Sequence, residues 1–315
     1  MKRPLVSVLV FFAIFFAMDR ALGAVLASAF ARIDSGERGG VVNHVLRQTD
    51  AEIVVFGSSR AVYHIDPEVL SGRLGMSAYN AGSPGTDIIY ARGVEALLLA
   101  RGSQAKVFVL HVDPRNLWEY DPAWVQRLAP FYGEVPALDA LLDATSALAP
   151  LKYQLHTYRY NSLLLSILAR QVRPGSPGNG FRKMPADRPQ DLRQRVEPDL
   201  EDPGPVDPYM EQVYVDFMEA AADRGIQVLM VDGPRWRPKG MTGATRFGRA
   251  HLARLAAENG VVFLEIDEFT DPVFLDSDHF ADVAHLNAGG ARIFSEILAE
   301  RLATVVEPGP AASAY

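Results

Sequence analysis

The stretch IVVFGSSRAVYHIDP, residues 53–67, decides the fold. A run of apolar residues ends at Gly57, two serines follow at once, and a helical pattern begins beyond them. A short continuous apolar run bounded by a turn residue reads as a strand buried on both faces. The serine pair has two readings at this point: one of the hydroxyls does chemistry, or both only cap the helix that follows.

Working outward, the spacing predicts a helix over 67–74 stopped by Gly75, then a short strand in MSAYNAGSPG (76–85) running into a glycine-rich turn. Residues 86–100 carry Ile88, Ile89, Val94, Leu97 and Leu98 at helical spacing. KVFVLHV (106–112), IQVLMVD (226–232) and VVFLEID (261–267) are further strands, with helices expected over 209–222, 245–258 and 287–302. Strands alternating with helices, each strand apolar throughout, imply an α/β domain whose five-stranded parallel sheet is covered on both faces. An insertion at about 115–208 separates the third strand from the fourth. It is helical over 123–170, then rich in proline, glycine and charge in RPGSPGNGFRKMPADRPQ (173–190). Such a segment serves as a substrate lid, a partner-docking element or a solvated linker. The organisation expected is a membrane segment over 1–31, one α/β domain over 32–305, and a disordered tail over 306–315.

The chain has 315 residues, 49% hydrophobic and 22% charged, a formal net charge of −7 and no cysteine. The acidic balance speaks against nucleic acid as a partner. The missing cysteine removes disulfides, thiolate metal sites and cysteine nucleophiles. At the N-terminus Lys2 and Arg3 precede PLVSVLVFFAIFFAM (4–18), which holds no charge; Asp19 and Arg20 interrupt, and ALGAVLASAFA continues to Ala31. Fifteen helical residues rise about 22 Å, short of the ~30 Å hydrocarbon core. Two readings stand: a secretory signal cleaved at the A-x-A of residues 27–29, or an uncleaved anchor whose Asp19 and Arg20 snorkel or pair near the interface. In both, the positive charges ahead of the segment put the remainder outside the cytoplasm, on the periplasmic side of the inner membrane if anchored and secreted if cleaved.

In a parallel sheet, functional groups gather at the carboxyl ends of the strands. Those ends carry Gly57-Ser58-Ser59-Arg60, Asn80-Ala81-Gly82-Ser83-Pro84-Gly85, His111-Val112-Asp113-Pro114-Arg115-Asn116, and DSDHFADVAHLNAGG (276–290). Serine becomes nucleophilic when a histidine takes its proton and a third group orients the histidine. Asp282 and His285 can supply both from one loop. Backbone N–H groups of Ser59 and Gly82 are candidate oxyanion donors. His279 with Asp276 and Asp278 is a rival base or metal site, although the segment lacks the glycine and distal glutamate of a calcium loop. His64, His111 and His251 have no evident partner. Trp118, Tyr120, Trp124 and Phe131 line an acyl or glycan site or belong to the core, and Arg235 and Arg237 bind an anionic polymer or sit on an exposed loop.

These motifs resemble the SGNH/GDSL hydrolase superfamily. Gly57-Ser58-Ser59 stands where that family has Gly-Asp-Ser, Asn80, Gly82 and Gly85 match Asn-x-Gly-x-x-Gly, and Asp282 and His285 match the terminal Asp-x-x-His. The resemblance implies a flavodoxin-like three-layer sandwich, Ser59 as nucleophile, His285 as base, Asp282 as its orienter and Gly82 as oxyanion donor, with no cofactor. The third block departs: HVDPRN replaces Gly-x-Asn-Asp, and an Asp113 carboxylate beside an oxyanion would repel it. Asn116 or Arg60 then completes the hole, or backbone donors act alone; Arg60 and Asn80 are also candidate substrate contacts. With the N-terminal membrane segment, the pattern resembles the cell-envelope branch that includes the D-alanyl transfer protein of teichoic acid biosynthesis and the alginate O-acetylation proteins. That implies acyl transfer or ester hydrolysis on an envelope polysaccharide, with a membrane-bound O-acyltransferase as partner. A standalone carbohydrate esterase or lipase-like hydrolase, and a catalytically silent scaffold, are the alternatives.

Overall fold

The computed structural model describes residues 2–36, 38–48, 50–118, 120–173, 175, 178–185, 204–237, 240–241 and 243–306. In chain order the elements are α1 (Lys2–Ala31), α2 (Gly40–Gln48), β1 (Ile53–Gly57), α3 (Ser59–His64), α4 (Pro67–Leu74), β2 (Ala78–Asn80), α5 (Ile88–Ala100) and β3 (Val107–His111). The insertion then contributes α6 (Pro136–Asp143), α7 (Ala149–Lys152) and α8 (Leu164–Val172), with 3₁₀ turns between them. The chain closes with α9 (Pro208–Ala222), β4 (Gln227–Asp232), α10 (Gly243–Glu258), β5 (Val262–Glu265) and α11 (Ala288–Val305).

All five strands are parallel, in the order β2-β1-β3-β4-β5. This is the order of flavodoxin-like doubly wound sheets, whose switch point lies between β1 and β3. Alternate residues of each strand enter opposite cores, as the period of two requires. Val54, Phe56, Phe108, Leu110, Val228 and Met230 pack with α2, α5 and α9. Ile53, Val55, Val107, Val109, Leu229 and Val231 pack with α4 and α11. A sheet buried on both faces explains why each strand is apolar throughout.

The boundaries differ from the sequence reading where a side chain takes over from the backbone. Asp87 accepts N–H bonds from Ile89 and Tyr90 at 3.1 and 3.3 Å, so it caps α5 and the helix begins at Ile88. Asn287 caps α11 in the same way. The insertion forms short pieces rather than one helix because Pro136 and Pro150 each stand in the first turn of a new helix and Pro130 sits within the 3₁₀ turn Val125–Phe131, next to its end. A further helix, α2, lies ahead of β1 and buries Val42, Val45 and Leu46. Residues 186–203 of the insertion, and the tail from 307 onward, lie outside the described residues.

Helix α1 runs unbroken through Asp19 and Arg20, and is long and apolar enough to cross a membrane. Its two halves meet different surroundings. Large side chains from Leu5 to Met18 are exposed, whereas Phe30 and the following Ile33 are buried in the domain. Asp19 does not snorkel. It is 5% exposed and accepts from the His156 and Thr157 N–H groups and the Thr157 hydroxyl at 2.6–3.0 Å.

Candidate active site

Strand β1 ends at Gly57 with φ +140°, a region that side chains avoid, and an added Cβ would stand 2.6 Å from the His111 carbonyl oxygen. The chain turns sharply there and starts α3 with Ser59 as its first residue. Ser58 holds the N-cap position but its side chain makes no capping bond. The Ser59 hydroxyl meets His285 Nε2 at 2.8 Å.

The loop carrying His285 is shaped by its own aspartate. Asp282 Oδ1 accepts the Ala284 and His285 N–H groups at 2.8 and 2.9 Å, and both its oxygens stand 3.0 Å from His285 Nδ1. An ionised carboxylate can only accept, which assigns the ring proton to Nδ1 and leaves the Nε2 lone pair for the serine proton. Burial alone would raise the Asp282 carboxyl; the His285 ring and the loop N–H groups outweigh it and hold the group below its ordinary value. Asp282, His285 and Ser59 thus form a hydrogen-bonded chain at the carboxyl edge of the sheet, with the His285 and Asp282 side chains 20% and 31% exposed. As the first residue of a helix, Ser59 has a backbone N–H with no intrahelical acceptor.

The structure places the other expected site residues as follows. Gly82, expected as an oxyanion donor, gives its N–H to Asn80 Oδ1 at 3.0 Å. Its missing Cβ lets the turn close against Ala61 and Val62 of α3. Asn80, expected at the substrate, is fully buried and donates to the Ala61 and Ile65 carbonyls at 2.7 and 2.9 Å, so it fastens α3 to β2. Arg60 is 2% exposed and points inward. It donates to the Val112 carbonyl at 2.9 Å and pairs with Asp232 at 3.2 Å and Asp113 at 3.4 Å. Burial lowers its pKa to about 10. Asn116 lies in the 3₁₀ turn Pro114–Leu117, which packs against α10 and whose first N–H is capped by Asp113.

Asp113, feared as a repulsive neighbour for an oxyanion, is enclosed by guanidinium groups. Arg60, Arg115 and Arg235 all pair with it, and despite burial they hold its carboxyl well below the usual range. Arg235, read as polymer-binding or exposed, is therefore 4% exposed and interior, and Arg237 pairs with Glu268 at 3.4 Å. Phe131 is buried core, whereas Trp124 stacks under Arg127 at 4.2 Å beside Gly85. Trp118 donates to the Gly204 carbonyl, and Tyr120 packs on Tyr209. Asp276 caps the turn that holds Asp278 and His279, and among the described residues no three His, Asp or Glu side chains are grouped to hold a metal ion.

Two features escaped the sequence reading. His64, without an evident partner in sequence, is fully buried and accepts the Leu286 N–H on Nε2 at 3.0 Å. One short helix therefore carries Ser59 at its start and, at its end, a clasp on the residue after His285. Burial and the neighbouring His111 keep His64 neutral, well below the usual imidazole pKa. The other feature is the segment 179–184. Asn80 N–H donates to the Asn179 carbonyl, Arg182 N–H to Val62, and Ala288 N–H to Met184, at 2.9–3.1 Å. This part of the insertion spans from β2 across α3 to the start of α11. Only glycine fits at 180, where φ is +86° and an added Cβ would overlap the Asn80 carbonyl oxygen.

No protein-family model matches the chain, and no curated protein matches it either.

Proposed function

We propose that the protein is a serine-dependent acyl-transfer enzyme or esterase of the cell envelope, with the SGNH-like fold, anchored by α1 and acting outside the cytoplasm. The observation that carries this reading is the Ser59–His285–Asp282 chain, with a 2.8 Å nucleophile–base contact. In the proposed reaction Ser59 Oγ attacks the carbonyl carbon of an acyl ester or thioester while His285 Nε2 takes its proton. The tetrahedral intermediate expels the alkoxide or thiolate, which receives that proton, and leaves an acyl-Ser59 ester. An acceptor hydroxyl, deprotonated by His285, then takes the acyl group and restores the serine. Base catalysis of this kind contributes about 10²–10⁴-fold.

The Ser59 N–H at the head of α3 supports an oxyanion donor at that position. With the Gly82 N–H engaged by Asn80, the hole is sparse, which favours a site completed by its acceptor or by a membrane-bound O-acyltransferase. That acceptor is proposed to be an envelope polysaccharide. The occupied Gly82 N–H also favours the silent-scaffold alternative, which the following assay separates. Mixed with a nitrophenyl acyl ester, the full chain in detergent should release a burst of one nitrophenol per active serine, absent in Ser59→Ala. Turnover in water alone marks an esterase. Turnover only with added polysaccharide marks a transferase. No burst from folded wild type supports the scaffold.

A further inference from the structure

The exposed apolar surface of α1 is longer on one side than its charge-free segment. Leu22 and Val25 continue the face of Met18 at helical spacing, and are 54% and 65% exposed. From Leu5 to Val25 the helix rises about 30 Å, the thickness of the hydrocarbon core, whereas a segment ending at Met18 falls short. Matching the bilayer to this stripe places its outer boundary near Val25, above Asp19 and Arg20. The domain residues level with Asp19 and Arg20 must then lie within the outer leaflet.

Those residues suit that position. Arg20 donates to the Gln154 carbonyl at 3.0 Å, Asp19 is covered by residues 156 and 157, and a Cβ on Gly23 would overlap that of His156. The helix is thereby joined to the 154–157 loop, with no slack segment between them. One turn earlier, ATSALAPL (144–151) carries no charge. Leu148 and Leu151 there are 59% and 71% exposed, and α7 ends in Lys152. A lone exposed leucine needs no explanation, but two in an uncharged stretch whose helix α7 leads directly into the loop that α1 touches put a second apolar surface close to the membrane helix.

We propose that residues 144–151 dip into the outer leaflet, so that the domain is seated in the lipid surface by α7 as well as anchored by α1. The seat fixes the height and tilt of the domain, and presents the serine at a constant distance from the membrane. The proposal rests on α1 being inserted, and is independent of the acyl chemistry.

The absence of native cysteine allows a direct test. Leu151→Cys, Leu148→Cys and, on α11 in the opposite layer, Glu300→Cys are each labelled with an environment-sensitive fluorophore. The full chain is then reconstituted in phosphatidylcholine–phosphatidylglycerol vesicles. Labels at 151 and 148 should shift to the blue and be quenched by nitroxide lipids carrying the spin label near the headgroup, while the label at 300 does neither. A chain that floats with the vesicles but keeps water-like emission at both 151 and 148 overturns the seat. That result leaves the surface for a protein partner. Failure to float removes the anchor, and the proposal with it. Either leucine variant suffices if the other does not fold.

Discussion

Ser59 and Arg60 are neighbours on the first turn of α3, and they lead to two clusters of opposite character. Ser59 points to an imidazole and a carboxylate that both retain contact with water, at 20% and 31% exposure. Arg60 points into a sealed network with Asp113 and Asp232, which Arg249 extends to Asp267. In the outer cluster a proton can move along a chain of hydrogen bonds. In the inner cluster every charge is compensated by an opposite one, and burial would penalise any change of state. Burial pushes the Asp232 carboxyl up, but Arg249 and Arg60 outweigh it and keep the group ionised. Charge at the edge of a sheet is thus a poor guide to chemistry; an incompletely buried acid–base chain is a better one.

The largest effect should come from the outer cluster. Asp282→Asn leaves the loop geometry nearly intact but favours the wrong tautomer of His285, so ester turnover should fall by about 10³–10⁴-fold with little change in melting temperature. The inner cluster should answer oppositely. Arg60→Met leaves Asp113 and Asp232 short of a partner and should cost about 3–5 kcal/mol in denaturant unfolding. A melting curve unchanged by Arg60→Met would erase the distinction drawn between the two.

Asp87 sharpens the comparison because it is buried, at 5% exposure, but held by backbone N–H groups instead of the guanidinium groups that hold Asp113. Burial pushes its carboxyl up to about 6 from an ordinary 3.8. The folded protein therefore keeps a proton that the unfolded chain has lost, and stability contributed at Asp87 falls as pH rises from about 4 to 6 and is flat above. Asp87→Asn, which still caps α5, should remove that slope and gain about 3 kcal/mol at neutral pH. Equal pH slopes in the two proteins would contradict the assignment.

The smallest effect concerns the clasp between the two ends of α3. His64→Leu removes the acceptor for the Leu286 N–H and should loosen His285, lowering kcat about tenfold while KM holds. His64→Gln, which restores an acceptor, should recover part of the loss. A fall in stability without that recovery in kcat would make His64 merely structural.

The sheet could be read in the sequence because both its faces are buried, so each strand is a continuous apolar run. The loops bearing Ser59, Asp282 and His285 could be read because they follow strands or precede the last helix. What escaped depends on distant partners. Nothing local in FGSSR tells that Arg60 turns inward to acids that follow β3 and end β4, or that Asn80 takes the Gly82 N–H. His64 likewise gains its role from a loop more than 200 residues away. Asp19 reads as a break in an apolar helix until the 156–157 loop that it caps is in view.

The most direct test of the central claim is fluorophosphonate labelling of the full chain in detergent, with mass spectrometry to locate the adduct. The account predicts an adduct on Ser59 in wild type and in Ser58→Ala. It should be lost in Ser59→Ala and reduced about 10³-fold or more in rate in His285→Ala, since the hydroxyl is inert without its base. An adduct on Ser58, or none on a folded wild-type chain, would contradict it.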